Sequence, residues 1–243
     1  TEPYVVRALL LLRIHTFLLG NSGISRRAVD GLRSLLAHDI LPVVPKQGSV
    51  GASGDLAPLA HLALGILGEG KCVYKGKTRL TAEVLKECGV EPFFPRAKEG
   101  LSLINGTHYM TAVASYAVRD ARYLMKSADV ITAMSLDAIK GTKRAFDERI
   151  HGIRPHLGQM VVARNINCLL DGEDEIMASH SACNKVQDPY SFRCTPQVHG
   201  ASRDVVEFVS ATVDRELNSV TDNPLVFADG DVLSGGNFHG EYV

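Results

Sequence analysis

From Gly106 to Lys140 the chain runs on without an internal proline or glycine. Apolar residues recur through this stretch at Met110, Val113, Ala114, Ala117, Ala121, Leu124, Ala128 and Ile131, mostly in steps of three and four. That period places them on one face of a helix. With a rise of about 1.5 Å per residue, the helix would be on the order of 50 Å long. A stripe of that length has to be covered by other helices. Pro155 to Leu170 and Val198 to Val220 read as two of them, which points to a bundle. The predicted fold class is mainly α: a loop-rich N-terminal part over residues 1–105, then a long-helix bundle over 106–243, incomplete at its C-terminal end.

The N-terminal part is punctuated more often. Thr1 is a plausible N-cap with Pro3 in the first turn, and an apolar helix runs from Val5 to Leu19, stopping at Gly20-Asn21. Ser25 is placed to cap a second helix to about His38. Asp55 is placed to cap a third, Leu56 to Leu67, ending at Gly68. Lys71 to Leu80 reads as a hairpin turning at Lys75-Gly76-Lys77. Thr81 and Glu83 begin a short helix that ends at Gly89, and Pro92 and Pro95 mark a connector. Between Leu41 and Gly54, breakers and small residues leave no helical period, so this stretch reads as loop.

Composition excludes several classes. Twenty-six basic side chains stand against 27 acidic ones, so neither nucleic acid nor an anionic membrane is an expected partner. The longest apolar run, Ala8 to Leu12, is far too short to cross a bilayer. No signal peptide is legible, and the missing initiator Met and the end at Val243 read as a fragment of a longer chain. The cysteines (Cys72, Cys88, Cys168, Cys183 and Cys194) form no CxxC pair. Reduced thiols in a cytoplasmic protein are expected, with no metal site. His151, His156, His199 and His239 lack HExxH spacing and read as capping, packing or supporting residues.

The loop Gly48-Ser-Val-Gly-Ala-Ser-Gly-Asp55 precedes a helix but fits neither phosphate-binding glycine motif nor the nucleophile elbow. Read from spacing alone, it is a structural turn, an anion loop at a helix N-terminus, or a site of backbone cyclisation. In the last case the amide nitrogen of Gly54 attacks the carbonyl carbon of Ala52, and loss of two waters, one involving the Ser53 hydroxyl, leaves an electrophilic methylidene-imidazolone. Small residues and a glycine that tolerates unusual dihedrals are what such a ring requires.

Five segments, in order, carry a resemblance over essentially the whole chain. They are Gly51-Ala-Ser-Gly-Asp-Leu-Ala-Pro-Leu-Ala-His61, Leu103-Ile-Asn-Gly-Thr107, Gln187-Asp-Pro-Tyr-Ser-Phe-Arg-Cys-Thr-Pro-Gln197, Glu216-Leu-Asn-Ser-Val-Thr-Asp-Asn-Pro224 and Ser234-Gly-Gly-Asn-Phe-His-Gly-Glu241. Together they resemble the histidine, phenylalanine and tyrosine ammonia-lyase family. Residues 188–193 and 235–241 are nearest its histidine-specific members, although His108 stands where many of those carry glutamine.

The resemblance implies a 4-methylidene-imidazol-5-one formed from Ala52, Ser53 and Gly54, with no external cofactor. It implies a small amino acid substrate and a homotetramer with shared active sites. Tyr190 would assist proton transfer. Arg193 would fork onto the substrate carboxylate, as guanidinium geometry allows. Asn105 would lie beside the ring, and Gln187 and Phe238 would line the pocket. The implied reaction is removal of ammonia from L-histidine to give trans-urocanate. A tyrosine or phenylalanine ammonia-lyase, or an aminomutase, would share these motifs. From another class, a non-catalytic helical assembly module or an inactive fragment remains open. Taken singly, each polar residue has a bland reading as well: a cap for Asn105, a carboxylate partner such as Asp188 for Arg193, a half-buried aromatic for Tyr190.

Overall fold

The computed structural model describes residues 1–171, 178, 182 and 184–243; Cys183 lies outside the described residues. The chain is mainly helical. Helix α1 spans Pro3–Leu18 with proline in its first turn. Its N-cap position falls to Glu2. Thr1 instead ties the chain start down, its amino group donating to the carbonyl of Val44 at 2.8 Å. Helix α2 (Arg26–Ala37) follows Ser25, whose side chain makes no capping bond. Helices α3 (Leu56–Leu67) and α4 (Thr81–Cys88) stop where Gly68 and Gly89 turn left-handed. The short helix α5 spans Glu99–Ile104. The uninterrupted stretch forms α6, His108–Ala138, a helix of 31 residues.

The hairpin is present as β2 (Lys71–Tyr74) and β3 (Lys77–Leu80), with Lys71 opposite Leu80 and Tyr74 opposite Lys77. A further strand, β1 (Leu41–Pro42), pairs antiparallel with β2, Leu41 opposite Val73. The start of the stretch read as loop is therefore an edge strand. Two residues are too few to show a period, and only the distant hairpin makes them a strand.

The contacts divide the chain into two compact units: residues 1–116 with 212–243, and residues 117–211. In the first, Leu9 and Leu10 of α1, Leu32 and Leu35 of α2, and Leu59, Leu62 and Ile66 of α3 are buried against one another. Burial of each such side chain contributes about 1.5–3 kcal/mol. The small sheet closes this core with Cys72, and α4 adds Val84 and Leu85. The C-terminal stretch carries a short ladder, β4 (Leu225–Val226) against β5 (Val232–Leu233).

The second unit holds most of α6, a 3-10 turn at Lys143–Phe146, α7 (Glu148–Gly152), α8 (Leu157–Leu169), α9 (Tyr190–Arg193) and most of α10 (Thr195–Leu217). Its core is Ala133, Leu136, Phe146, Val162, Ala163, Ile166 and Leu170. A Cβ on Gly158 would collide with the carbonyl of Gly200, so α8 and α10 meet backbone to backbone. Buried Asp129 of α6 joins both helices to it, accepting from Arg203 at 2.8 Å and Asn165 at 2.7 Å. His151 packs inside this unit, bonded to Gln159 at 3.0 Å. The predicted stripe on α6 stays partly uncovered: Leu124 is 71% exposed and Ile131 60%. Among the described residues, no helix is long and apolar enough to cross a membrane.

Candidate active site

Ala52, Ser53, Gly54, Asn105 and Phe238 belong to the first unit, and Gln187, Tyr190 and Arg193 to the second. In the first, Gly51–Ser53 form one turn of 3-10 helix closed by a bridge between Val50 and Gly54. Ala52 and Ser53 are exposed at its tip, whereas Gly54 is buried. Gly54 has φ +76° and ψ −167°, a conformation essentially restricted to glycine. Its surroundings exclude a side chain too. A Cβ there would lie 2.7 Å from the carbonyl oxygen of Gly106 and 2.9 Å from that of Phe238. The loop is also held from above, where Gly240 donates to the carbonyl of Gly51 at 2.9 Å.

Asp55 fastens this loop to the start of α6. Its amide donates to Gly106 at 2.7 Å. Its fully buried carboxylate accepts from the amides of Tyr109 (2.8 Å) and Met110 (3.0 Å) and from the Ser49 hydroxyl (2.6 Å). Asp55 was expected to cap α3, the helix that follows it. Its side chain makes no bond there and caps α6 instead. Burial pushes this carboxyl up, and the hydrogen bonds from Ser49, Met110 and Tyr109 pull it back.

Asn105 follows α5 as its C-cap, in extended conformation. Its amide donates to the carbonyl of Asn223 at 2.9 Å. Asn223 in turn accepts from the amide of Gly235 at 2.7 Å, which ties the Gly235–Phe238 loop to the Asn105 turn. Nearby Thr107 donates to Glu216 at 2.6 Å. Beside Glu216 and Thr221, a cavity of about 460 Å³ opens toward Asn237, His239 and Tyr242. Phe238 itself is half-buried.

In the second unit, Tyr190 and Arg193 stand on α9, with the guanidinium carbon 5.4 Å from the tyrosine ring centroid. The three-residue spacing thus puts them on one face. Arg193 Nε donates to the main-chain carbonyl of Asp188 at 2.9 Å. The Asp188 carboxylate is taken by the Thr142 amide and hydroxyl, at 2.8 and 3.0 Å. Gln187 and Arg193 line a cavity of about 310 Å³ with Thr142, Arg144 and Ile150. Tyr190 is 72% exposed.

The sequence model of the aromatic amino acid lyase family matches residues 1–243. The chain belongs to the aromatic amino acid lyase family. Among curated members it is 52% identical to the histidine ammonia-lyase of Sorangium cellulosum, over 98% of this chain and 47% of that protein. Among solved structures, the histidine ammonia-lyase of Trypanosoma cruzi superposes with a TM-score of 0.89 at 44% identity, over 100% of this chain and 45% of that one. The phenylalanine aminomutase of Pantoea agglomerans gives 0.89 at 33% identity, over 98% of this chain and 49% of that one. The chain thus spans about half the length of the curated relatives it matches. Nothing in the sequence pointed to Asp55 as the clamp of this lyase-family loop. An acidic residue one place before a helix reads as that helix's own cap, and its partner amides lie more than fifty positions away.

Proposed function

We propose that the full-length protein is a histidine ammonia-lyase, removing ammonia from L-histidine without redox change to give trans-urocanate. The observation that carries this reading is the cradle at Gly54, where two carbonyl oxygens stand in the space a Cβ would need. Ala52, Ser53 and Gly54 fit the self-made ring: the first two are small and exposed, and the third is pinned where only glycine fits. A ring formed from these residues would supply the electrophile that makes removal of a weakly acidic β-proton feasible.

The remaining roles belong to the chain's own side chains. Arg193 binds the substrate carboxylate through its guanidinium fork. Its Nε bond to Asp188 sets the orientation of that fork. Tyr190, on the same face, moves a proton through its phenol. Asn105, held by its bond to Asn223, would lie beside the ring. Gln187 lines the cavity beside Arg193, and Phe238 stands against Gly54 at the loop. The exposed apolar residues Leu124, Ile131 and Met134 support a homotetramer in which other chains cover them. A cytoplasmic location accords with the reduced cysteines expected of the sequence.

Identity to histidine ammonia-lyases of 45–52% exceeds that to the aminomutase and favours histidine as substrate. The test is full-length protein offered L-histidine, L-tyrosine and L-phenylalanine in turn. Urocanate should appear as rising ultraviolet absorbance, with the other two largely untouched. Preference for tyrosine or phenylalanine would overturn the substrate. Turnover of none of them would favour the assembly-module reading.

A further inference from the structure

Arg13 lies midway along α1, on a helix to which the sequence assigns no chemistry, and it is fully buried. One guanidinium nitrogen, Nη1, donates to the carbonyl of Asn105 at 2.9 Å and sits 3.0 Å from Nδ1 of His108. The other, Nη2, donates to the carbonyl of Ser102. Below, the guanidinium carbon rests 4.3 Å from the Phe17 ring centroid. His108 is fixed on its far side by Thr16, at 2.9 Å. Burial lowers the pKa of this guanidinium to about 10, with buried Asp222 pulling it back up, so Arg13 stays charged at neutral pH.

The carbonyls of Ser102 and Asn105 belong to the end of α5, where helix geometry leaves carbonyls without partners. Arg13 supplies those partners from inside the core. The turn it braces is Asn105-Gly106-Thr107. The next carbonyl along, that of Gly106, accepts the Asp55 amide and stands closest to the missing Cβ of Gly54. One buried cation therefore backs the wall against which the ring-forming tripeptide is pressed.

We propose that Arg13 is a positioning residue for self-processing of Ala52-Ser53-Gly54, acting through the Asn105–Gly106 turn; this rests on the ring reading above. In the step it promotes, a bond forms between Gly54 N and the Ala52 carbonyl carbon. The Ala52 oxygen leaves as water with the amide protons of Gly54 and Ser53. The Ser53 hydroxyl leaves as a second water with the Ser53 α-proton. No oxidant or reductant is needed. A guanidinium that held only helix α5 would affect stability alone. One that holds the wall of the loop sets the rate of water loss.

The experiment follows the intact mass of freshly synthesised full-length protein over time, with near-ultraviolet absorbance as a second readout. The variants are Arg13→Met and Arg13→Lys. Leu32→Ala serves as a control that weakens the same core away from the turn. Arg13→Met, folded by circular dichroism, should largely retain the two waters. Arg13→Lys should mature slower than the parent by roughly tenfold or more. Leu32→Ala should melt at lower temperature yet mature at the parent's rate. Parent-rate maturation in either folded Arg13 variant overturns the proposal, as does an equal slowing in Leu32→Ala. If Arg13→Met does not fold, Arg13→Lys decides alone: slowing of at least that size supports the role, and anything less overturns it. A parent that never loses two waters would instead refute the ring itself, and the Arg13 role with it.

Discussion

Asp55 immediately precedes helix α3, yet its carboxylate caps helix α6, accepting the amide of Tyr109 at 2.8 Å. With the neighbouring bond from Met110, it satisfies two N-terminal amides that a helix cannot bond internally. Removing it leaves those amides and the Ser49 hydroxyl without their acceptor. Asp55→Ala should therefore cost about 2–3 kcal/mol of stability. Asp55→Asn, which keeps one acceptor oxygen, should cost less. Urea unfolding midpoints decide this, and an unchanged midpoint in Asp55→Ala would remove the clamp from the account.

Ser53 is exposed at the loop tip, so its replacement disturbs no packing. Ser53→Ala should leave the helical circular dichroism unchanged and abolish both the two-water mass loss and the near-ultraviolet band of the full-length protein. Turnover should fall by several orders of magnitude, as loss of an essential electrophile demands. Wild-type-like turnover in this variant would sink the mechanism.

Arg193 presents a planar fork that lysine cannot reproduce. Arg193→Lys keeps the charge and should lose about 2–3 kcal/mol of transition-state binding, roughly 30- to 150-fold in kcat/KM. The maturation mass should not change. An unaltered kcat/KM would exclude Arg193 from carboxylate recognition.

His108 is buried beside the Arg13 guanidinium. Burial first, and that neighbouring cation second, hold its pKa well below the usual 6.5. The folded protein keeps this ring neutral while the unfolded chain binds a proton on it below about pH 6.5. The unfolded state then holds more protons, so stability falls as pH drops from that point toward the folded pKa. The expected slope from this group is up to about 1.4 kcal/mol per pH unit. Unfolding free energies between pH 7.5 and 5.5 should show it, and His108→Gln should flatten the dependence. A slope unchanged in that variant would assign the acid sensitivity to other groups.

The local structure was legible wherever neighbours along the chain decide it. The unbroken stretch after Gly106 became α6 because nothing within it interrupts hydrogen bonding from one turn to the next. Gly68 and Gly89 ended their helices because they take left-handed dihedrals at no steric cost. Gly76 turned the hairpin for the same reason, next to Lys75, which takes a positive φ without being glycine. The tripeptide Ala52-Ser53-Gly54 was also visible as small residues flanked by breakers, with a plain turn and a self-made ring equally open from spacing alone.

What the tertiary structure decided are the pairings between residues far apart in sequence. Arg13 beneath Asn105, Asp55 on Tyr109, and Asn105 on Asn223 each join segments separated by fifty or more positions. No periodicity encodes such a pairing, because a buried polar group takes whichever partner packing brings to it. The same holds for Leu124 and Ile131, apolar at helical spacing yet exposed in this chain. Helical period says that a face is apolar, but only the surrounding helices determine what covers it. The sequence by itself determined the helices, the turns and the small residue types at Ala52-Ser53-Gly54. The packing of α1, α5 and the C-terminal stretch decided that Gly54 sits where two carbonyl oxygens leave room for no side chain.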